Sequence, residues 1–124
     1  MIGEILGGHI RRKGAVGLVC DGAIRDVGTL AGWTDFSVYT RSVTPRGPSS
    51  AERGEINRPV TIGGALVSPG DLMIGDDDGL VALTPATIRA RIADAEARLV
   101  LEAKWEAALT AGQTAEAVFG LKAP

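Results

Sequence analysis

The chain is poor in the residue types that most often declare a function. It carries one cysteine and one histidine in 124 residues. A single thiol, Cys20, excludes an internal disulfide framework. Its place in an apolar run reads as a buried strand position, not a nucleophile. A single imidazole excludes a histidine-rich metal site, and His9 reads as a surface residue of a helix. Aromatic residues make up 4%, so the core must be built from Ala, Val, Leu and Ile. Thirteen basic residues face fifteen acidic ones, for a formal charge of -2. No basic tract marks a nucleic-acid footprint, and Arg41 and Arg46 read as solvated loop charges. There is no run of 18 apolar residues and no basic-then-apolar leader. No membrane partner is expected, and the cytoplasm is the default compartment.

What is abundant is glycine, at 17 residues, which predicts tight turns and close backbone approaches. The length suits one domain spanning 1–124, although a chain this size folds with a thin margin. Residues 2–13 predict a short helix, weakened by Gly7 and Gly8 and stopped by Gly14. Residues 15–20 (AVGLVC) predict a buried strand ended by Asp21 and Gly22. A brief helix over 26–31 and a strand over 36–39 follow. Residues 44–59 hold three prolines and two glycines, which predicts a long loop of functional or interfacial use. Residues 60–62 and 65–68 are strands around a Gly63-Gly64 hairpin turn. Strands over 72–74 and 80–83 flank GDDDG, where three consecutive acids read as a tight solvated turn with Asx-type bonds. Thr84-Pro85 opens a helix running to about Ala111. Ile88, Ile92, Ala95 and Leu99 form its apolar stripe, and Gly112 ends it. Residues 115–121 are an apolar tail.

One constellation could carry chemistry. Glu4 is followed, after twenty residues, by the adjacent Arg25 and Asp26. Carboxylates offer the hard oxygen ligands that a divalent ion requires. A guanidinium binds a carboxylate substrate in a planar, bidentate fashion. A helix opening at Glu4 adds unpaired backbone N–H groups. Together they point to metal-dependent chemistry on a small 2-oxo acid. The rival is a structural Arg25–Asp26 pair that fastens a turn. On the long helix, Glu102 follows an apolar patch, Leu99 to Leu101. It is either a surface residue or partly desolvated against another subunit.

The run GAVGLVCDGAIRDVGTL (14–30), with VTPRGP (43–48) and GEINRPVTIGGALVSPGDLMIGDDDGLVAL (54–83), resembles the family of 4-hydroxy-4-methyl-2-oxoglutarate aldolases. The related regulators of ribonuclease activity A belong to the same RraA-like group. The resemblance implies an α/β fold, an αββα sandwich of the RraA-like, swivelling β/β/α type, here N-terminally incomplete. It implies a substrate loop at Gly3, Glu4, Ile5 and Leu6, whose amides bind the pyruvate carboxylate. It further implies Arg25 on the pyruvyl oxygens and Asp26 as ligand to Mg2+ or Mn2+. Glu4 would act through a water on that ion. An acidic residue from a neighbouring protomer's C-terminal helix is implied too, with Glu102 the match. The expected function is metal-dependent aldol cleavage yielding pyruvate, with oxaloacetate decarboxylation as side activity, in a homotrimer or hexamer. The alternatives are a non-catalytic regulator that binds a ribonuclease, or an inactive truncated relative.

Overall fold

The computed structural model describes residues 1–48 and 53–121. The chain divides into two compact units, Met1–Ala82 and Leu83–Pro124. Among the described residues it has four helices and six strands, in open, two-stranded sheets.

The first unit begins with α1 (Glu4–Arg12), β1 (Gly17–Ile24), α2 (Val27–Ala31) and β2 (Ser37–Val43). β1 and β2 pair in parallel, from Gly17 opposite Ser37 to Ile24 opposite Val43. α2 lies in the crossover, as a parallel pair requires. β1 does not stop at Asp21-Gly22. It runs on to Ile24, with an irregularity between Cys20 and Ala23. The partner strand carries it through. The Thr40 hydroxyl donates to the Gly22 carbonyl at 3.0 Å, and Arg41 pairs with Asp21 at 2.5 Å. Arg41 is therefore a strand residue with a partner, not a loose loop charge. Cys20 is only half-buried.

Among the described residues the buried apolar side chains are Ile24, Leu30 and Phe36. Trp33 packs edge-on to Phe36, ring centroids 5.7 Å apart, and Arg11 stacks over Trp33 at 4.9 Å. The Gly7-Gly8 pair that weakens the helix prediction has a packing reason. A Cβ at Gly7 would lie 3.4 Å from both Leu30 and Trp33. Bare backbone lets the ring approach α1. Arg11 also pairs with Asp35, and that contact holds the Asp35 carboxyl below its ordinary value.

β3 (Val60–Ile62) and β4 (Ala65–Val67) form the expected antiparallel hairpin. Gly63 and Gly64 take φ of +58° and +86°, as a two-residue turn with positive φ at both positions demands. The Asp21 carboxylate accepts the Gly63 N–H at 3.0 Å, tying this turn to β1. β5 (Leu72–Gly75) and β6 (Leu80–Leu83) flank the acidic turn. Asp76 Oδ1 accepts the N–H groups of Asp78 and Gly79 at 2.9 and 3.2 Å. That is the Asx-type turn expected there. The predicted 44–59 loop has no regular element among its described residues; 49–52 lie outside them.

The second unit holds α3 (Pro85–Thr110) and α4 (Ala115–Phe119). Thr84 caps α3, its Oγ1 accepting the Thr87 N–H at 3.1 Å, and Pro85 supplies the pre-set first-turn φ. Thr114 caps α4 in the same way, and Gly120 closes it at φ +66°. The apolar tail is thus a short helix. It folds back on α3 through Trp105 and Phe119, edge to face at 5.2 Å. Along all 26 residues of α3 no side chain is buried. Among the described residues, no helix is long and apolar enough to cross a membrane.

Candidate functional site

In parallel α/β sheets, ligands are received at the C-terminal strand ends. Arg25 and Asp26 follow immediately after β1. Two backbone contacts bring the chain start to the same place. Ile2 makes a parallel bridge with Ile24, and the Arg25 N–H donates to the Ile2 carbonyl at 3.0 Å. α1 therefore begins beside the end of β1, and Glu4 stands next to the Arg25-Asp26 pair.

The junction is made by Asp26. Its Oδ2 accepts the Glu4 N–H at 3.0 Å and lies 3.5 Å from Arg25 Nε. Gly3, the N-cap of α1, has no side chain with which to bond the first turn. Asp26 supplies that acceptor from twenty-two residues away. Its own backbone is left-handed, φ +60°, an uncommon state that Asp and Asn tolerate best. Strain of this kind gathers at functional sites. Asp26 also sits at the N-cap of α2 but makes no side-chain bond there, because its carboxylate is turned towards α1.

Gly3 is buried, and its missing side chain is required. A Cβ there would lie 2.8 Å from Arg25 Cγ and 2.9 Å from Arg25 Nε, and would overlap Asp26 Oδ2. Glycine lets the helix start, the guanidinium and the carboxylate share one space.

The first three N–H groups of an α-helix have no helical partner. At α1 they belong to Glu4, Ile5 and Leu6. Glu4's is taken by Asp26, and among the described residues those of Ile5 and Leu6 have no hydrogen-bond partner. Beside them lies a cleft of about 240 Å³, bordered by Gly3, Ile5, Leu6 and Arg25, together with Met1, Ile2 and Pro48. Arg25 is about one-third exposed, at 38%, which is open enough to meet a solute.

Of the seven sequence-predicted positions, Gly3, Ile5, Leu6 and Arg25 border this cleft, and Asp26 bonds the Glu4 N–H and faces Arg25. The Arg25–Asp26 pair foreseen as the structural rival is present, and the same contact positions the site. Glu102 lies on α3 in the second unit. There it accepts from Arg98 Nε at 2.7 Å, while the Arg98 guanidinium stacks on Trp105 at 4.6 Å. Sequence reasoning did not find the role of Gly3 as a space-maker or Asp26 as the cap of α1. An uncapped Gly-Glu helix start was the available signal.

For a divalent ion, the donors offered here are carboxylate oxygens, those of Glu4 and Asp26. Among the described residues no three His, Cys, Asp or Glu side chains converge as a cage. Magnesium is typically held by one or two carboxylates and several waters, and the donor type fits that habit.

Comparison with known proteins adds three findings. The RraA-like family model, described as Aldolase/RraA, matches residues 1–82. A protein of Halalkalibacterium halodurans, provisionally named as a 4-hydroxy-4-methyl-2-oxoglutarate aldolase, is 35% identical over 81 residues. That match covers 65% of this chain and 38% of the relative. The crystal structure of an uncharacterized protein from Pseudomonas syringae pv. tomato DC3000 superposes with a TM-score of 0.80 at 25% identity. It covers 95% of this chain and 59% of that one. The matches therefore span about two fifths of the first relative's length and under two thirds of the second's.

Proposed function

Because the chain belongs to the RraA-like family, we propose that it serves as a metal-dependent lyase for 4-hydroxy-2-oxo acids. Acids of the 4-hydroxy-4-methyl-2-oxoglutarate type would be cleaved to pyruvate and a second oxo acid. Oxaloacetate decarboxylation is the natural side activity, since both routes pass through the pyruvate enolate. The observation that carries this is the Asp26 carboxylate joining the Glu4 N–H to Arg25 at a helix start, where Gly3 and Arg25 border a cleft.

Each residue has a role that its position supports. The Ile5 and Leu6 amides, with the positive end of α1, receive the substrate carboxylate. Arg25 binds the 2-oxo oxygen and stabilises the negative charge that gathers there in the transition state. Asp26, with Glu4 nearby, would hold Mg2+ or Mn2+. When bound, that ion supplies electrophilic polarisation of the ketone. A carboxylate takes the proton of the C4 hydroxyl, directly or through water. The C3–C4 bond then breaks, C4 becomes a carbonyl, and the bonding pair moves into the C2–C3 enolate. Protonation at C3 gives pyruvate. Glu4 and Glu102 are the candidates for the proton transfer.

Glu102 enters the proposal with assembly. α3 buries no side chain of its own chain and exposes Leu99, Val100 and Leu101. Large exposed apolar side chains of this kind favour association. A closed trimer, or a hexamer built from trimers, would cover that face and bring a neighbour's Glu102 to the cleft.

Pyruvate release from 4-hydroxy-4-methyl-2-oxoglutarate, measured with and without magnesium or manganese, is the test. Magnesium- or manganese-dependent release supports the lyase. No release with either metal, from this acid or from oxaloacetate, would favour a non-catalytic regulator.

A further inference from the structure

Arg25 is flanked on two sides. On one, Gly3 leaves room for its Cγ and Nε, and Asp26 Oδ2 faces its Nε at 3.5 Å. On the other stands the segment that follows β2. A Cβ at Gly47 would lie 3.8 Å from Arg25 Nη1. Among the described residues, and chain neighbours aside, no other atom would come within 4 Å of it. Bulk added at Gly47 therefore meets the guanidinium first.

The sequence brings this segment there. β1 and β2 end with Ile24 opposite Val43. One further bond, from the Thr44 N–H to the Ile24 carbonyl at 2.9 Å, carries the pairing past the strand ends. Arg25 and Thr44 therefore leave the sheet side by side. The chain then reads Thr-Pro-Arg-Gly-Pro over 44–48. Proline fixes its own φ and disfavours helical backbone at the residue before it, here Thr44 and Gly47. The Thr44 hydroxyl oxygen accepts the Arg46 N–H at 3.3 Å, closing a turn across Pro45. Few conformations are left to the segment, and Pro48 borders the same cleft as Arg25. Gly47 has no positive φ, so its backbone does not demand glycine. What glycine keeps free is the space at Nη1.

Resting on the function proposed above, we infer that the Thr44–Pro48 turn is a positioning element for Arg25, with Thr44 and Gly47 as its working residues. The Thr44 bonds hold the turn against the end of β1, and Gly47 keeps Nη1 open towards the 2-oxo oxygen. Both act through Arg25. A long, flexible side chain needs such a support, because a displacement of about 1 Å at a reacting group can cost about a hundredfold in rate.

Pyruvate binding tests this apart from turnover. In calorimetric titration of the full chain at saturating magnesium, Gly47→Leu should weaken pyruvate at least about tenfold, the scale of one charged hydrogen bond. Gly47→Ala should weaken it less. Thr44→Val should cost about threefold, the scale of one neutral hydrogen bond, and Thr44→Ser should restore the parent affinity. In an Arg25→Ala background, Gly47→Leu and Thr44→Val should have no further effect, whereas a merely structural role would add its cost in either background. Parent-like affinity in Gly47→Leu, or losses that persist without Arg25, would overturn the inference. Parent-like affinity in Thr44→Val alone would remove Thr44 from it. The expected coupling without pyruvate release from any 4-hydroxy-2-oxo acid would leave this inference standing and overturn the lyase. No pyruvate binding by the parent chain would overturn both.

Discussion

Asp26 Oδ2 accepts the backbone N–H of Glu4 at 3.0 Å, so one carboxylate fastens the start of α1 to the end of β1. The same atom faces Arg25, and Asp26 reaches both by adopting a left-handed backbone. Local fold and candidate chemistry therefore share a single side chain, and substitutions here must be chosen to separate the two.

Arg25→Ala should lower pyruvate formation from oxaloacetate with magnesium by at least about a hundredfold, the scale of losing one transition-state charge stabiliser. The fold should survive, because the bond that positions α1 comes from Asp26. Steady-state rates alongside circular dichroism check both halves. Near-normal turnover would remove Arg25 from the site.

Asp26→Asn should keep the structure and lose the metal. Asparagine tolerates the left-handed backbone, and its amide oxygen can still accept the Glu4 N–H. It cannot supply a charged ligand to a hard cation. Magnesium affinity by calorimetry should fall at least about tenfold, with the thermal midpoint little changed. Asp26→Ala, which loses the cap as well, should also be less stable, by about 1 kcal/mol. Equal magnesium affinity in parent and Asp26→Asn would rule out the ligand assignment.

Gly3→Val should damage both fold and site. Its Cβ would enter space held by Arg25 and Asp26. Overpacking of this kind costs about 1–3 kcal/mol. Urea unfolding should show the loss, and activity should fall with it. A variant as stable and active as the parent would mean that the helix start has more room than the structure gives it.

Asp21 gives a pH-dependent test. The Arg41 hydrogen bond, then the Gly63 N–H, hold its carboxyl below the ordinary value of 3.8. A carboxyl depressed in the folded state stabilises above its unfolded pKa, and that contribution disappears as pH falls through the folded value. Asp21→Asn should therefore be less stable than the parent at pH 7. The gap should close as pH drops below 3.8. Urea midpoints at several pH values would show it; a gap that stays constant into acid would mean the ion pair contributes nothing.

Assembly is expected to depend on α3. Sedimentation at several concentrations should show self-association, and Leu99→Glu with Leu101→Glu should weaken it. A compact 12.8 kDa species persisting at high micromolar concentration would make a site shared between copies untenable.

What could be read from the chain alone was local. The Gly63-Gly64 hairpin, the Asp76 turn and the Thr84-Pro85 helix start form where the sequence predicts them. Each is closed by bonds spanning only a few residues, so residue type and spacing suffice. The Glu4, Arg25 and Asp26 set was also legible as a spacing, and the Ile2–Ile24 bridge brings the three residues together at the start of α1. Other features depended on partners distant in sequence. β1 continues through Asp21-Gly22 because β2 and Arg41 hold it, against the turn preference of those two residues. Gly7-Gly8 stays helical because Trp33 and Leu30 need the space above it. Asp26 turns its carboxylate away from α2 to Glu4 because Ile2 has docked beside Ile24. Short-range bonds can be written into adjacent residues, whereas a capping contact across twenty-two residues exists only once the strands that carry its two ends have paired.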